Sequence, residues 1–74
     1  MEDRVKAIMA DIFMIDASEI KQHTAMENLP QWDSLAQIDL IAALEEEFGV
    51  MFEVEDFELM TKYSAVIERL AEKL

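Results

Sequence analysis

The chain contains no cysteine, so neither a disulfide framework nor a thiolate metal site is available to it. His23 is its only histidine, which leaves a zinc site short of ligands and offers no good candidate for a Ser-His-Asp arrangement. One glycine and one proline in 74 residues leave little material for tight turns and point to an all-helical chain. Bases are scarce as well: 6 Lys plus Arg stand against 17 Asp plus Glu, for a formal net charge of −11. That balance excludes an electrostatic binder of nucleic acid, because phosphate recognition needs a basic surface. It also argues against docking on anionic lipid. No stretch approaches the roughly 20 apolar residues of a membrane span. The start of the chain, MEDRVKAIMADIF, is charged and amphipathic, unlike a secretory leader. No D-x-[DN]-x-[DN]-G loop occurs, so a calcium-binding helix-loop-helix is excluded too.

Hydrophobic residues make up 53% of the chain, which is the composition of a folded domain rather than a disordered one. At 74 residues it is one small domain, residues 1–74. The expectation is a cytoplasmic monomer whose partners are basic proteins, with no nucleic acid and no membrane among them.

Hydrophobic spacing predicts the elements. Val5, Ile8, Met9, Ile12 and Phe13 follow one helical face, giving a first helix over Glu2–Met14. Residues Asp16–Trp32 are weakly periodic and read as a long loop, with one helical turn around Ser18–Lys21. A loop of that length needs anchors, for which Ile20, Met26 and Leu29 are the candidates. A second helix is predicted over Ser34–Phe48, with Ser34 as N-cap, Gln37 completing a capping box and Gly49 in the C′ position. A brief third helix is expected near Glu55–Leu59. A fourth runs over Lys62–Leu74, with Thr61 as its N-cap and Tyr63, Val66, Ile67, Leu70, Ala71 and Leu74 as its apolar stripe. Three main helices and a short third close into a small all-α four-helix bundle.

The second helix carries one apolar strip too many. At about 100° per residue from Leu35, the residues Leu40, Ile41, Leu44 and Phe48 fall between about 140° and 240°. Leu35, Ile38 and Ala42 fall near about 0°, 300° and 340°, on the other side, flanked by Asp39 and Glu46. A small bundle has one core, so this second strip reads as an exposed contact surface, as a face covered by the long loop, or as both in part. Charge is also unevenly placed. From Gln22 to Thr61 there are ten acids and no lysine or arginine. Glu45, Glu46 and Glu47 close the helix at its negative end, where the macrodipole favours cations. A field of one sign over 40 residues steers a basic partner and raises its on-rate.

These features converge on Trp32-Asp33-Ser34-Leu35 at the head of the acidic helix. The segment resembles the acyl carrier proteins, whose signature is Asp-Ser-Leu at the start of the second helix. The following AQIDLIAALEEEFGV, the chain length and the helix order are similar to that family as well. One departure stands out: the family often has glycine shortly before Asp-Ser-Leu, and here Leu29 is followed by Pro30-Gln31-Trp32. The resemblance implies that Ser34 takes 4′-phosphopantetheine from coenzyme A. Its hydroxyl attacks the β-phosphate and adenosine 3′,5′-bisphosphate leaves, with Mg²⁺ and a base supplied by the transferase. It further implies that Asp33, Leu35, Ile38, Asp39, Ala42, Glu45 and Glu46 meet partners, namely the phosphopantetheinyl transferase and acyl-activating, acyltransferase and synthase enzymes with basic docking patches. A cargo cavity would be lined by Ile38, Ile41, Phe52, Phe57, Met60 and Tyr63, each of which reads first as plain core. Trp32 either shields the arm, contacts a partner or packs the loop, and His23 is expected in solvent. The implied function is a carrier, not an enzyme, holding acyl thioesters of fatty-acid, polyketide or related biosynthesis. An aminoacyl or peptidyl carrier is the alternative, and an unmodified acidic interaction module is another.

Overall fold

The computed structural model describes residues 1–74. Four α-helices run in the order α1 (Glu2–Phe13), α2 (Ser34–Phe48), α3 (Val54–Leu59) and α4 (Tyr63–Lys73), with one 3₁₀ turn at Ala17–Glu19. Every expected element is present, with ends moved by a residue or two. The core is one cluster of buried apolar side chains: Val5, Met9 and Phe13 from α1, Ala36, Leu40, Ile41 and Leu44 from α2, and Tyr63, Val66 and Leu70 from α4, joined by Ile20, Trp32, Phe52 and Met60. Phe48 is only half-buried at the end of its stripe.

Helix ends have local causes. α1 ends on Met14 in the left-handed conformation, φ 60°, with its N–H donating to the Ala10 carbonyl. α2 ends on Gly49, φ 66°, with its N–H donating to the Glu45 carbonyl. Glycine carries no Cβ penalty in that conformation, whereas Met14 does. The predicted cap Thr61 is displaced: Lys62 precedes α4 and makes no side-chain capping bond. Thr61 uses its carbonyl instead, accepting from the Met26 N–H at 2.9 Å, while the Tyr63 N–H donates to the Thr24 carbonyl at 2.8 Å. These two bonds form an antiparallel bridge, Ala25 to Lys62. Together with buried Ile20 and half-buried Met26 and Leu29, they tie the long loop to the entrance of α4.

Three ion pairs join helices, two of them sharing Asp56. The Arg4 guanidinium donates to both Glu47 oxygens, at 2.8 and 2.9 Å, linking the start of α1 to the end of α2. Asp56 of α3 is 1% exposed. It accepts from Arg69 Nε and Nη2 at 2.9 and 2.7 Å and lies 3.3 Å from Lys73 Nζ, which fastens α3 to α4. Its second oxygen accepts from the Glu53 N–H at 2.8 Å, closing the first turn of α3. The backbone bond to Glu53 and then the Arg69 guanidinium hold this carboxyl down to about 2, from an ordinary 3.8.

Candidate functional site

The segment ahead of α2 corrects one expectation from the sequence. The N-cap is Asp33, whose Oδ1 accepts from the Ala36 N–H at 2.9 Å. Ser34 is the first helical residue. The cap falls to Asp33 because its extended backbone, φ −102° and ψ −173°, aims the carboxylate back over the first turn. The Ser34 hydroxyl therefore has no capping duty. It makes no hydrogen bond within the chain and is exposed. Beside it, the N–H groups of Ser34 and Leu35 are among those that a helix leaves without an internal partner. An exposed hydroxyl among free N–H groups at the positive end of a 15-residue helix suits a phosphodiester there.

Gln37 is not the outer member of a capping box. It points inward and is 7% exposed. Its Oε1 accepts from the Trp32 indole N–H at 2.7 Å, and its Nε2 donates to the carbonyls of Met60 at 2.8 Å and Phe57 at 3.2 Å. Trp32 itself is 1% exposed and lies 5.2 Å from the Phe13 ring, centroid to centroid. Of its three possible roles, the structure selects packing of the loop. The polar link runs from the residue two before Ser34, through α2, to the last turn of α3. No buried side-chain nitrogen or oxygen is left without a partner.

The outer strip of α2 is real. Leu35 is 74% exposed and Ile38 57% exposed, and Ala42, Asp39 and Glu46 are exposed with them. The long loop does not cover it. Glu45 differs: it is half-buried, and its Oε2 accepts from the Phe52 N–H at 2.8 Å, so it holds the α2–α3 connector. Its neighbour Glu47 is held by Arg4.

Of the six residues expected around a cargo cavity, Ile41, Phe52, Met60 and Tyr63 are buried in the core and Phe57 is half-buried against it. Ile38 stands apart, because its angular position places it with Leu35 on the outer strip. Tyr63 turns its hydroxyl to Glu2 Oε1 at 2.8 Å, towards α1 rather than α3. Burial and the Glu2 carboxylate push that phenol up. The one pocket is elsewhere, lined by Ala25, Met26, Glu27, Thr61 and Lys62. His23 is exposed, and its carbonyl accepts from Asn28 Nδ2 at 2.7 Å. No helix is long and apolar enough to cross a membrane.

The head of α2 thus presents an exposed serine hydroxyl with no partner in the chain, next to an exposed apolar strip bordered by acids. Residues 3–72 match the family described as the phosphopantetheine attachment site. The acyl carrier protein of Petrotoga mobilis is 33% identical over 72 residues, covering 97% of this chain and 85% of the relative. That of Thermosynechococcus vestitus is 33% identical over 72 residues, covering 97% and 89%. The chain belongs to the acyl carrier protein family; its members are carriers rather than enzymes and bear covalent 4′-phosphopantetheine. A solution structure of a holo acyl carrier protein from Geobacter metallireducens shares the fold, with a TM-score of 0.85 at 21% identity, over 97% of this chain and 83% of that one.

Proposed function

We propose that Ser34 is the attachment point and that the chain delivers acyl thioesters to enzymes of fatty-acid, polyketide or related biosynthesis. The observation that carries this reading is the exposed Ser34 hydroxyl, released from capping by Asp33 at the head of α2. The arm supplies a terminal thiol that holds the acyl group as a thioester. The chain's own residues do the rest. The free N–H groups of the first turn of α2 stabilise the phosphodiester. Leu35, Ile38 and Ala42 offer apolar contact to partner enzymes. Asp33, Asp39 and Glu46 meet the basic rims of those partners, and the field of the unpaired acids steers the encounter. Glu45 serves the same face while also holding the Phe52 N–H.

The test is an intact mass after incubation with coenzyme A, Mg²⁺ and a broad-specificity phosphopantetheinyl transferase. The wild type gains one phosphopantetheine and Ser34→Ala gains none. Because Ser34 caps nothing, Ser34→Ala should change stability by no more than about 0.5 kcal/mol, so loss of loading reports chemistry rather than unfolding. A wild-type chain that stays unmodified, or a Ser34→Ala chain that is still modified, refutes the assignment.

A further inference from the structure

Resting on the reading of Ser34 as attachment point, the fate of the cargo can be inferred from what lies beneath that residue. A tethered acyl group has two places to go: outward into solvent, or inward between α2 and α3. The inward route meets Gln37, one turn along α2 from Ser34 and facing the interior. Gln37 is bonded at both ends of its amide: it accepts from the Trp32 indole and donates to the Phe57 and Met60 carbonyls. An alkyl chain that parted α2 from α3 would break these bonds and offer no donor or acceptor in return. The indole N–H and the carbonyls would then be buried without partners, which is the costly way to lose a hydrogen bond. Trp32 is itself buried, its ring against Phe13 of α1, so the indole N–H has no water to turn to if Gln37 is displaced.

We propose that the polar link from Trp32 through Gln37 to the Phe57 and Met60 carbonyls determines cargo specificity: it latches α2 to the end of α3 and keeps the acyl group outside the bundle. The carrier therefore serves short or polar acyl groups and does not sequester a long apolar chain. Residues Ile41, Phe57 and Met60 remain core in the loaded protein.

The experiment compares acetyl and octanoyl forms of the full chain, made from the two acyl-coenzyme A thioesters with a broad-specificity transferase and checked by intact mass. A chain that accepts neither arm refutes the carrier reading itself, and this inference with it. With both forms in hand, the expected melting temperatures agree within about 1 °C, the fluorescence of Trp32, the only tryptophan, is the same, and hydroxylamine cleaves both thioesters at their free-pantetheine ratio. An octanoyl form that melts about 4 °C or more above the acetyl form, with altered Trp32 emission or cleavage slowed about tenfold, overturns the proposal while leaving Ser34 as the attachment point. A second variant tests the link directly. Trp32→Phe with Gln37→Leu keeps apolar bulk and removes the polar latch, so its octanoyl form should melt several degrees above its acetyl form. A folded double variant with no such difference refutes the role given to the link; if it does not fold, the wild-type comparison decides.

Discussion

Asp56 offers a test of how this small bundle is held together. Its carboxylate is buried, yet Arg69 and Lys73 stand over it and the Glu53 N–H donates to it. Asp56→Asn keeps the shape and removes the charge. The carboxyl lies at about 2 in the fold against an ordinary 3.8, and a shift of that size corresponds to about 2 kcal/mol. Removing one member of a buried pair costs about 3 to 5 kcal/mol when the partner stays buried. Arg69 and Lys73 keep 27% and 28% of their side chains in solvent and rehydrate, so the expected loss is about 2 kcal/mol. For a domain of this size that is a large share of the total and lowers Tm by about 10 °C. Acid separates this effect from the rest. The folded value is depressed, so the stabilisation is complete above pH 4 and vanishes as pH falls through 2. Protonation elsewhere relieves repulsion among the other acids and acts on wild type and variant alike. The quantity to measure is therefore the difference in urea unfolding free energy between the two proteins, from pH 7 to pH 2. A difference that stays constant over that range, or is absent at pH 7, refutes the account.

Two further predictions concern backbone and surface. Met14 sits at φ 60° with its side chain 89% exposed, so Met14→Gly should stabilise the chain by about 0.5 to 1 kcal/mol. Gly49→Ala should destabilise it by about 1 kcal/mol, and since a Cβ there meets nothing within 4 Å the loss would be conformational; thermal melts of both variants with shifts of the same sign would contradict this. On the outer face, Asp39→Lys with Glu46→Lys should slow transfer of the phosphopantetheine arm by about tenfold at low salt and flatten its salt dependence, read by transferase kinetics between 20 and 300 mM NaCl. Glu45 is left out of that pair because its substitution would also release the Phe52 N–H.

What the sequence showed, and what it hid, follows from the range of the interactions involved. Helical periodicity is local, so α1, α2 and α4 were legible from spacing, and the glycine that ends α2 was legible from its conformation. The outer strip of Leu35, Ile38 and Ala42 was legible too, because angles on one helix need no knowledge of its neighbours. Gln37 was not. The spacing Ser-x-x-Gln fits a capping box, but the residue falls at about 200° from Leu35, in the middle of the core stripe. That angle was the available signal. What the Gln37 amide bonds to there is a pair of carbonyls at the end of α3, 20 and 23 positions away, which no local pattern contains. Asp56 was hidden for the same reason. It counted as one more acid in an acidic run until Arg69 and Lys73 of α4 folded over it.

The same placement explains how one chain can be strongly acidic and still close a single core. Of the six bases, Arg4 holds Glu47, Lys6 lies over the Tyr63 ring at 5.4 Å, and Arg69 and Lys73 hold Asp56. These cations come from α1 and α4, and they are spent on joining one helix to another. None reaches the outer face of α2. Asp33, Asp39 and Glu46 are therefore left without a cation near Leu35, Ile38 and Ala42, and their repulsion is borne by a core that the ion pairs close elsewhere. Moving a single base onto that face would relieve the repulsion and weaken the field together. The acidic excess beside Ser34 is therefore a cost in stability that the core and the ion pairs of α1 and α4 offset.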